Sequence, residues 1–190
     1  MIEKSHLEQQ MIDMISGSDW HMKVMHAVKQ LNLPDCWIGA GFIRSYVWDQ
    51  LHDYPVRTPL GDIDVVYFNP DCIDKKVEKE YDHQLLKIMP DEPWSVKNQA
   101  RMYQIYGDTP YKNTKDGLCH WTETVTATAV CLNDKGEVEV LAPFGLEDLF
   151  SMQVKPTPHA LTRAEDYNNR LKNKSWDKKW SKVNIKLLTI

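Results

Sequence analysis

The sequence has no long hydrophobic run. Nowhere in its 190 residues does an apolar stretch approach the roughly 18 residues that a membrane-crossing helix needs. The start, Met1-Ile2-Glu3-Lys4-Ser5-His6, lacks the apolar segment of a secretory signal, so a cytoplasmic protein is expected. Cysteine is scarce and scattered. Cys36, Cys72, Cys119 and Cys131 form no Cys-x-x-Cys, which weakens zinc and thioredoxin-type readings and fits reduced thiols. There is no surplus of positive charge. The formal net charge of −4 argues against a surface that grips nucleic acid all over. Two phosphate-binding signatures are also absent. No Walker motif occurs, and Arg44 stands where a dinucleotide fingerprint needs its third glycine. His21 and His26, five apart, do not share a helix face, so metal binding there is not expected.

What the chain does have is an ordinary globular composition, 42% hydrophobic and 26% charged, built around residues 38–68. Asp62 and Asp64 open a β-branched and aromatic run, Ile63-Asp64-Val65-Val66-Tyr67-Phe68, which reads as a strand. Alternate side chains on a strand share a face, so the two carboxylates point the same way and repel. A hard divalent cation removes that conflict, and Mg²⁺ is commonly held by one or two carboxylates plus substrate phosphates. The alternative is a solvated pair in which one aspartate caps a turn. Upstream, Gly39-Ala40-Gly41 joins an apolar strand to a helix. It is either a tight turn or a place where backbone N–H groups approach a phosphate. Arg44 falls in the first turn of that helix, where a cation opposes the helix dipole. A phosphate would offset this, and so would a salt bridge to Asp49. Arg57, just before the acidic strand, is placed to touch a triphosphate or to be solvated.

A strand, a glycine turn, a helix and then Asp-x-Asp on the next strand resembles the signature of the nucleotidyltransferase fold. That superfamily includes DNA polymerase beta, poly(A) polymerases and CCA-adding enzymes. Gly41-Phe42-Ile43-Arg44 looks like the Gly-x-Val-Arg of the CCA-adding head domain, and Asp62-Ile63-Asp64 is similar to its metal-binding pair. Residues 142–150, Ala-Pro-Phe-Gly-Leu-Glu-Asp-Leu-Phe, resemble the closing stretch of a family of small bacterial nucleotidyltransferase-like proteins. The resemblance spans residues 37–158. It departs at Ala40, in the place of the first glycine of the pair, and at Ser45, in the place of an acid.

The resemblance implies an α+β fold, with a mixed central sheet of about five strands flanked by helices. It implies transfer of a nucleoside monophosphate from an NTP such as ATP to a hydroxyl-bearing acceptor: a small molecule, a protein or RNA. Asp62 and Asp64 would be catalytic and hold one or two Mg²⁺ ions. Gly39, Ala40, Gly41, Arg44 and Arg57 would bind the nucleotide. Many such enzymes add a third acid on a neighbouring strand. Glu139 has the right local pattern, Glu123 is an alternative, and Asn98 could occupy the acid's place. Two further readings stay open: a non-catalytic nucleotide- or RNA-binding module, and antibiotic modification. A tRNA-adding activity is disfavoured, because only about 35 residues follow the last expected core helix, where CCA-adding enzymes carry a large helical body.

The remaining pattern predicts two N-terminal helices, over 7–15 and from Ser18 as N-cap to 31. Further helices are expected over 42–51, 73–89, 116–121 and 145–152. Strands are expected over 36–38, 94–103, 122–132 and 137–142, the last two joined by a hairpin turn at Asn133-Asp134-Lys135-Gly136. Residues 1–154 form the expected domain and 155–190 a basic extension, packed on it or partly mobile. The extension has nine Lys and Arg against three acids, a net of +6, which leaves −10 on the first 154 residues. Trp176 and Trp180 lie among its lysines. They either stack RNA bases or dock on the body.

Overall fold

The computed structural model describes residues 5–189. In chain order the elements are α1 (His6–Ser16), α2 (Asp19–Lys29), β1 (Trp37–Gly39), α3 (Gly41–Leu51), β2 (Ile63–Tyr67), α4 (Lys75–Ile88), β3 (Trp94–Asn98), α5 (Gln99–Tyr106) and α6 (Thr114–Cys119). They continue with β4 (Ala129–Leu132), β5 (Val138–Leu141), α7 (Glu147–Phe150), β6 (Gln153–Val154), a 3-10 turn (Ala160–Arg163), α8 (Ala164–Lys174), α9 (Trp176–Lys179) and β7 (Asn184–Ile185). Among the described residues no helix is long and apolar enough to cross a membrane.

The central sheet has the order β3-β2-β1-β4-β5, so the fold is α+β with a mixed sheet. β2 and β3 are parallel, and α4 makes the crossover that a parallel pair requires; the other pairs are antiparallel. Alternation assigns the two faces. Ile38, Ile63, Val65, Val96 and Val130 point into the main core with Phe42, Val47 and Trp48 of α3. Gly39, Asp64 and Ala129 are adjacent across β1, β2 and β4 and belong to the opposite face. One face of the sheet is therefore a helix-covered core, and the other carries the acidic strand's polar side chains.

Two expected strands are shorter than the pattern predicts. The strand from Trp94 ends at Asn98, and 99–106 is helical. The Asn98 side chain accepts from Ala100 N–H and so acts as an N-cap, and local capping wins over the apolar pattern. Residues 122–128 are a buried turn, and only 129–132 pair in the sheet. The N–H groups of Thr126 and Ala127 both donate to Glu123 O, and Thr126 Oγ1 donates to the Glu123 carboxylate. These local bonds replace a ladder. Ser18 takes the N-cap position of α2, but its hydroxyl bonds His21 Nδ1 at 2.7 Å instead of capping.

The basic extension contacts the body throughout. β7 pairs in parallel with β6, Gln153 facing Asn184. Trp176 and Trp180 are buried against Trp48, with ring centroids 5.7 and 5.2 Å away. Trp180 Nε1 donates to Asp49 Oδ1 at 2.8 Å. The same buried carboxylate accepts from Thr58 N–H and Thr58 Oγ1, so it joins α3, the loop before β2 and the extension.

Trp180→Ala is expected to destabilise the protein by about 3–5 kcal/mol, because it opens a cavity and leaves Asp49 short of a donor. Trp180→Phe, which keeps most of the packing, should lose about 1–3 kcal/mol. Urea unfolding followed by circular dichroism measures both. An alanine variant as stable as the parent would mean that the extension does not hold this loop.

Candidate active site

In front of the polar face lies a cavity of about 400 Å³. Asp62 and Asp64 line it at the head of β2, and Ser95 and Lys97 line it from β3, where Ser95 is in register with Asp64. The far wall comes from elsewhere in the chain: His120 and Trp121 after α6, and His159, Arg163, Asp166 and Arg170 of the extension. β2 puts both aspartates on one side because they are two residues apart. Val66, the next residue on that face, lies deeper and is apolar.

Burial, together with the neighbouring Asp62 charge, pushes the Asp64 carboxyl up to about 6; Lys97, Arg44 and Arg170 act against this. Arg44 is buried, and burial pulls its pKa down to about 10 against the opposing charges of Glu123, Asp64 and Asp62. It therefore keeps its charge at neutral pH. Its Nε has no hydrogen-bond partner among the described residues. Its guanidinium lies 4.1 Å from the ring centroid of Trp176 and 5.5 Å from that of Trp48, cation–π contacts with two nearly perpendicular rings in place of a salt bridge. The expected pairing with Asp49 does not occur, because Asp49 is taken by Thr58 and Trp180.

The bend between β1 and α3 has two different requirements. Gly39 is needed for close packing: a Cβ there would lie 3.0 Å from Thr128 O and 3.2 Å from Trp121. Ala40 lines the cavity and has φ 52° and ψ −120°, a conformation that L side chains rarely adopt. Ala40 N–H donates to Thr128 O at 3.2 Å, which ties the bend to the residue before β4. α3 has no side-chain cap, so its first-turn N–H groups meet no protein side chain there. Gly41 is unstrained, and a Cβ there would make an ordinary 3.7 Å contact with Arg44 Nη2.

Other sequence candidates lie elsewhere. Glu139 is exposed on β5, where it accepts from Asn133 Nδ2 of the hairpin. β5 is three strands from β2, about 14 Å at normal strand spacing, and Glu139 does not line the cavity. Arg57 also stays outside it, stacked 3.6 Å from the ring centroid of Trp20. Asn98 faces away from Asp64 by alternation and is consumed by Ala100 N–H, Asn69 and the Cys72 carbonyl. Glu123 is fully buried and bound by Arg170 Nε at 2.7 Å and Thr126 Oγ1 at 2.8 Å; both partners line the cavity.

Residues not singled out in the sequence complete the site. Lys97 was legible in principle, since it alternates with Val96 and shares a face with Ser95. His120, His159, Arg163 and Arg170 gave no local signal. With Asp108, His120 and His159 form a compact cluster whose ligand atoms lie within 4.8 Å of one another. It is the one group of at least three His, Cys, Asp or Glu side chains among the described residues that is close enough to hold a metal ion. Burial raises the Asp108 carboxyl, but hydrogen bonds from Tyr111 and His159 and the charges of His159 and Arg163 outweigh it and hold it below its ordinary value.

A mixed sheet with paired aspartates heading one strand, beside a glycine-bearing bend at a helix N-terminus, defines the nucleotidyltransferase class of fold. The sequence matches the family described as "Nucleotidyltransferase" over residues 26–185, and the chain belongs to that family. A solved structure described as "The NMR structure of the protein reveals a CCA-adding enzyme head domain" is 32% identical, with a TM-score of 0.84. The match covers 95% of this chain and 96% of that one. The Thermotoga maritima CCA-adding enzyme complexed with tRNA is 15% identical with a TM-score of 0.56, over 94% of this chain and 42% of that one. A CCA-adding enzyme in complex with CTP gives 14% and 0.58, over 94% and 43%. These two likenesses establish the fold alone, and the chain spans less than half the length of either enzyme. No curated protein matches it.

The raised Asp64 carboxyl sets a pH dependence. Because its folded-state pKa lies above its ordinary 3.8, ionisation opposes folding. The contribution is fully present below about pH 4 and lost as pH rises through about 6. In chelator at pH 7.5, Asp64→Asn should therefore be more stable than the parent, by at most about 3 kcal/mol, and the advantage should vanish at pH 4. Thermal unfolding at the two pH values tests this. At the bend, Ala40→Gly should raise stability by about 1 kcal/mol by removing strain. A clear loss would show that the bend is not strained.

Proposed function

We propose that this chain transfers a nucleoside monophosphate from an NTP to a hydroxyl-bearing acceptor, with Asp62 and Asp64 as the catalytic pair. The observation that carries this reading is the meeting of two things at one cavity: two like-charged carboxylates, and Ala40 at the uncapped N-terminus of α3. Each is unfavourable alone, and a metal-bound triphosphate relieves both. The donor set is all oxygen, which suits Mg²⁺, and the conflict that raises Asp64 is one a divalent cation removes. A bound Mg²⁺ would neutralise phosphate charge and lower the pKa of the attacking hydroxyl.

The chain's own residues do the rest. The N–H groups at the start of α3, and the backbone at Gly39, Ala40 and Gly41, accept the negative charge of the phosphates. Arg44, buried against the bend near Gly41, supports the turn. Lys97 stands beside Asp64 and stabilises charge that develops on the transferring phosphate. The acceptor oxygen attacks the α-phosphorus, the bond to the bridging oxygen breaks, and pyrophosphate leaves. With Glu139 outside the cavity, Glu123 bound by Arg170, and Asp166 on the far wall in no close three-ligand group with the pair among the described residues, the site is of a two-carboxylate type. Arg163, Arg170 and Lys97 on the cavity wall weigh against a polycationic acceptor such as an aminoglycoside. The four free thiols fit a reducing compartment such as the cytoplasm.

The test is transfer of label from α-³²P NTPs to small-molecule, protein and RNA pools with Mg²⁺. Asp62→Asn and Asp64→Asn should each lower transfer at least ~100-fold with an unchanged far-ultraviolet circular dichroism spectrum. Variants that transfer as well as the parent would overturn the assignment. Mg²⁺-dependent NTP binding with no transfer to any pool would indicate a binding module on the same fold.

A further inference from the structure

We propose that Asp108, His120 and His159 form a second metal site, for a divalent transition ion of the Zn²⁺ class, on the wall of the cavity built by α6 and the extension. The site is chemically distinct from the aspartate pair. Two imidazoles and one carboxylate suit Zn²⁺, Co²⁺ or Ni²⁺, whereas Mg²⁺ takes oxygen ligands.

The cluster is arranged as metal ligands usually are. His120 Nδ1 lies 2.8 Å from Asp116 O. A carbonyl only accepts, so Nδ1 carries the proton and Nε2 keeps its lone pair. Donation of the second ring N–H to a backbone carbonyl is the common way of orienting a metal-binding histidine. Tyr111 stacks on the His120 ring at 4.5 Å, and its hydroxyl donates to Asp108 Oδ2 at 2.7 Å. One side chain thus steadies two of the three ligands. His159 Nε2 lies 2.8 Å from Asp108 Oδ1, and its ring meets that of His120 edge to face at 4.8 Å. The ligand atoms fall within 4.8 Å of one another. Around a tetrahedral ion they would be about 3.4 Å apart, so the widest separation must shrink by up to about 1.4 Å and the His159–Asp108 pair, now at 2.8 Å, must open by about 0.6 Å, which side-chain rotation supplies. His120 and His159 both line the cavity, and three protein ligands leave a coordination position for an anionic or hydroxyl oxygen of a bound molecule.

Without the ion, two groups hold its place. The His159 N–H donates to Asp108 Oδ1, and ligation exchanges that bond for bonds of both groups to the ion, the proton moving to the other ring nitrogen. Arg163 Nη2 also lies 3.1 Å from Asp108 Oδ1 and donates to Tyr106 O. Arg163 is therefore a competitor: a fixed cation on the oxygen that the ion needs.

Co²⁺ alone, titrated into the untagged full chain in excess Mg²⁺, is the probe. The expected result is one Co²⁺ per chain with visible ligand-field absorption, displaced by Zn²⁺ and not by Mg²⁺. His120→Ala and His159→Ala should each weaken binding at least ~10-fold, with folding checked by circular dichroism. Asp64→Asn should leave it unchanged. Arg163→Gln should tighten it several-fold, a gain that general destabilisation cannot produce. Absence of Co²⁺ binding, binding unaffected in both histidine variants, or binding lost in Asp64→Asn would each overturn the proposal.

Discussion

The site is built on an electrostatic conflict. Two carboxylates share one side of β2, and one of them is half-buried, so the protein tolerates a charge arrangement that it would be more stable without. Among the described residues no ion pair resolves the conflict. Arg44, the obvious candidate, lies against the rings of Trp176 and Trp48 and not against a carboxylate. Lys97 and Arg170 moderate the field without forming a contact pair with either aspartate. Residual charge of this kind is what a site keeps when its true counter-charge is a ligand.

The basic extension is the second half of that arrangement. Trp176 forms the floor under Arg44, and Trp180 bonds Asp49, which in turn holds Thr58 of the loop that delivers Asp62 and Asp64. The glycine bend and the acidic strand are thus both braced from one short segment around α9. Its lysines point to solvent while its tryptophans are buried, so clustered charge and aromatics serve a structural joint here. Earlier parts of the extension, the 3-10 turn and α8, contribute Arg163 and Arg170 to the cavity wall. The cavity is therefore closed by residues more than 90 positions from the aspartates in sequence.

Six non-glycine residues among those described have a positive φ, and Ala40 at the bend, with ψ −120°, is the one of them that lines the cavity. Ala40 keeps a positive φ because its N–H is fixed to Thr128 and because Gly39, squeezed against Thr128 and Trp121, leaves the chain no other path. Strain that persists beside a cavity is consistent with a backbone shaped for a ligand. Glycine matters here for two separate reasons, close approach at position 39 and conformational freedom at position 40, and the chain has a glycine only at the first.

Much of this was readable in the one-dimensional pattern. The Asp-x-Asp spacing on a β-branched run put both carboxylates on one side, because side-chain alternation is a local property of extended backbone. The bend, α3, α4 and the 133–136 hairpin were legible for the same reason: turn residues and periodicity act within a few positions. Where a side chain competed with the ladder the local pattern misled, as at Asn98 capping α5 and Glu123 bonding its own turn. Glu139 has the alternation of a site acid, yet strand order puts it three strands away; order along a sheet is decided by packing of the whole chain and leaves no mark at one residue. The burial of Arg44 against Trp176, the wall of His159, Arg163 and Arg170 beside His120, and the link from Trp180 to Asp49 exist only because the extension folds back. The sequence alone determined which residues could carry charge and on which side of a strand they lie. Tertiary structure decided which of those charges meet, because long-range contacts are set by the one packing that buries the apolar faces together.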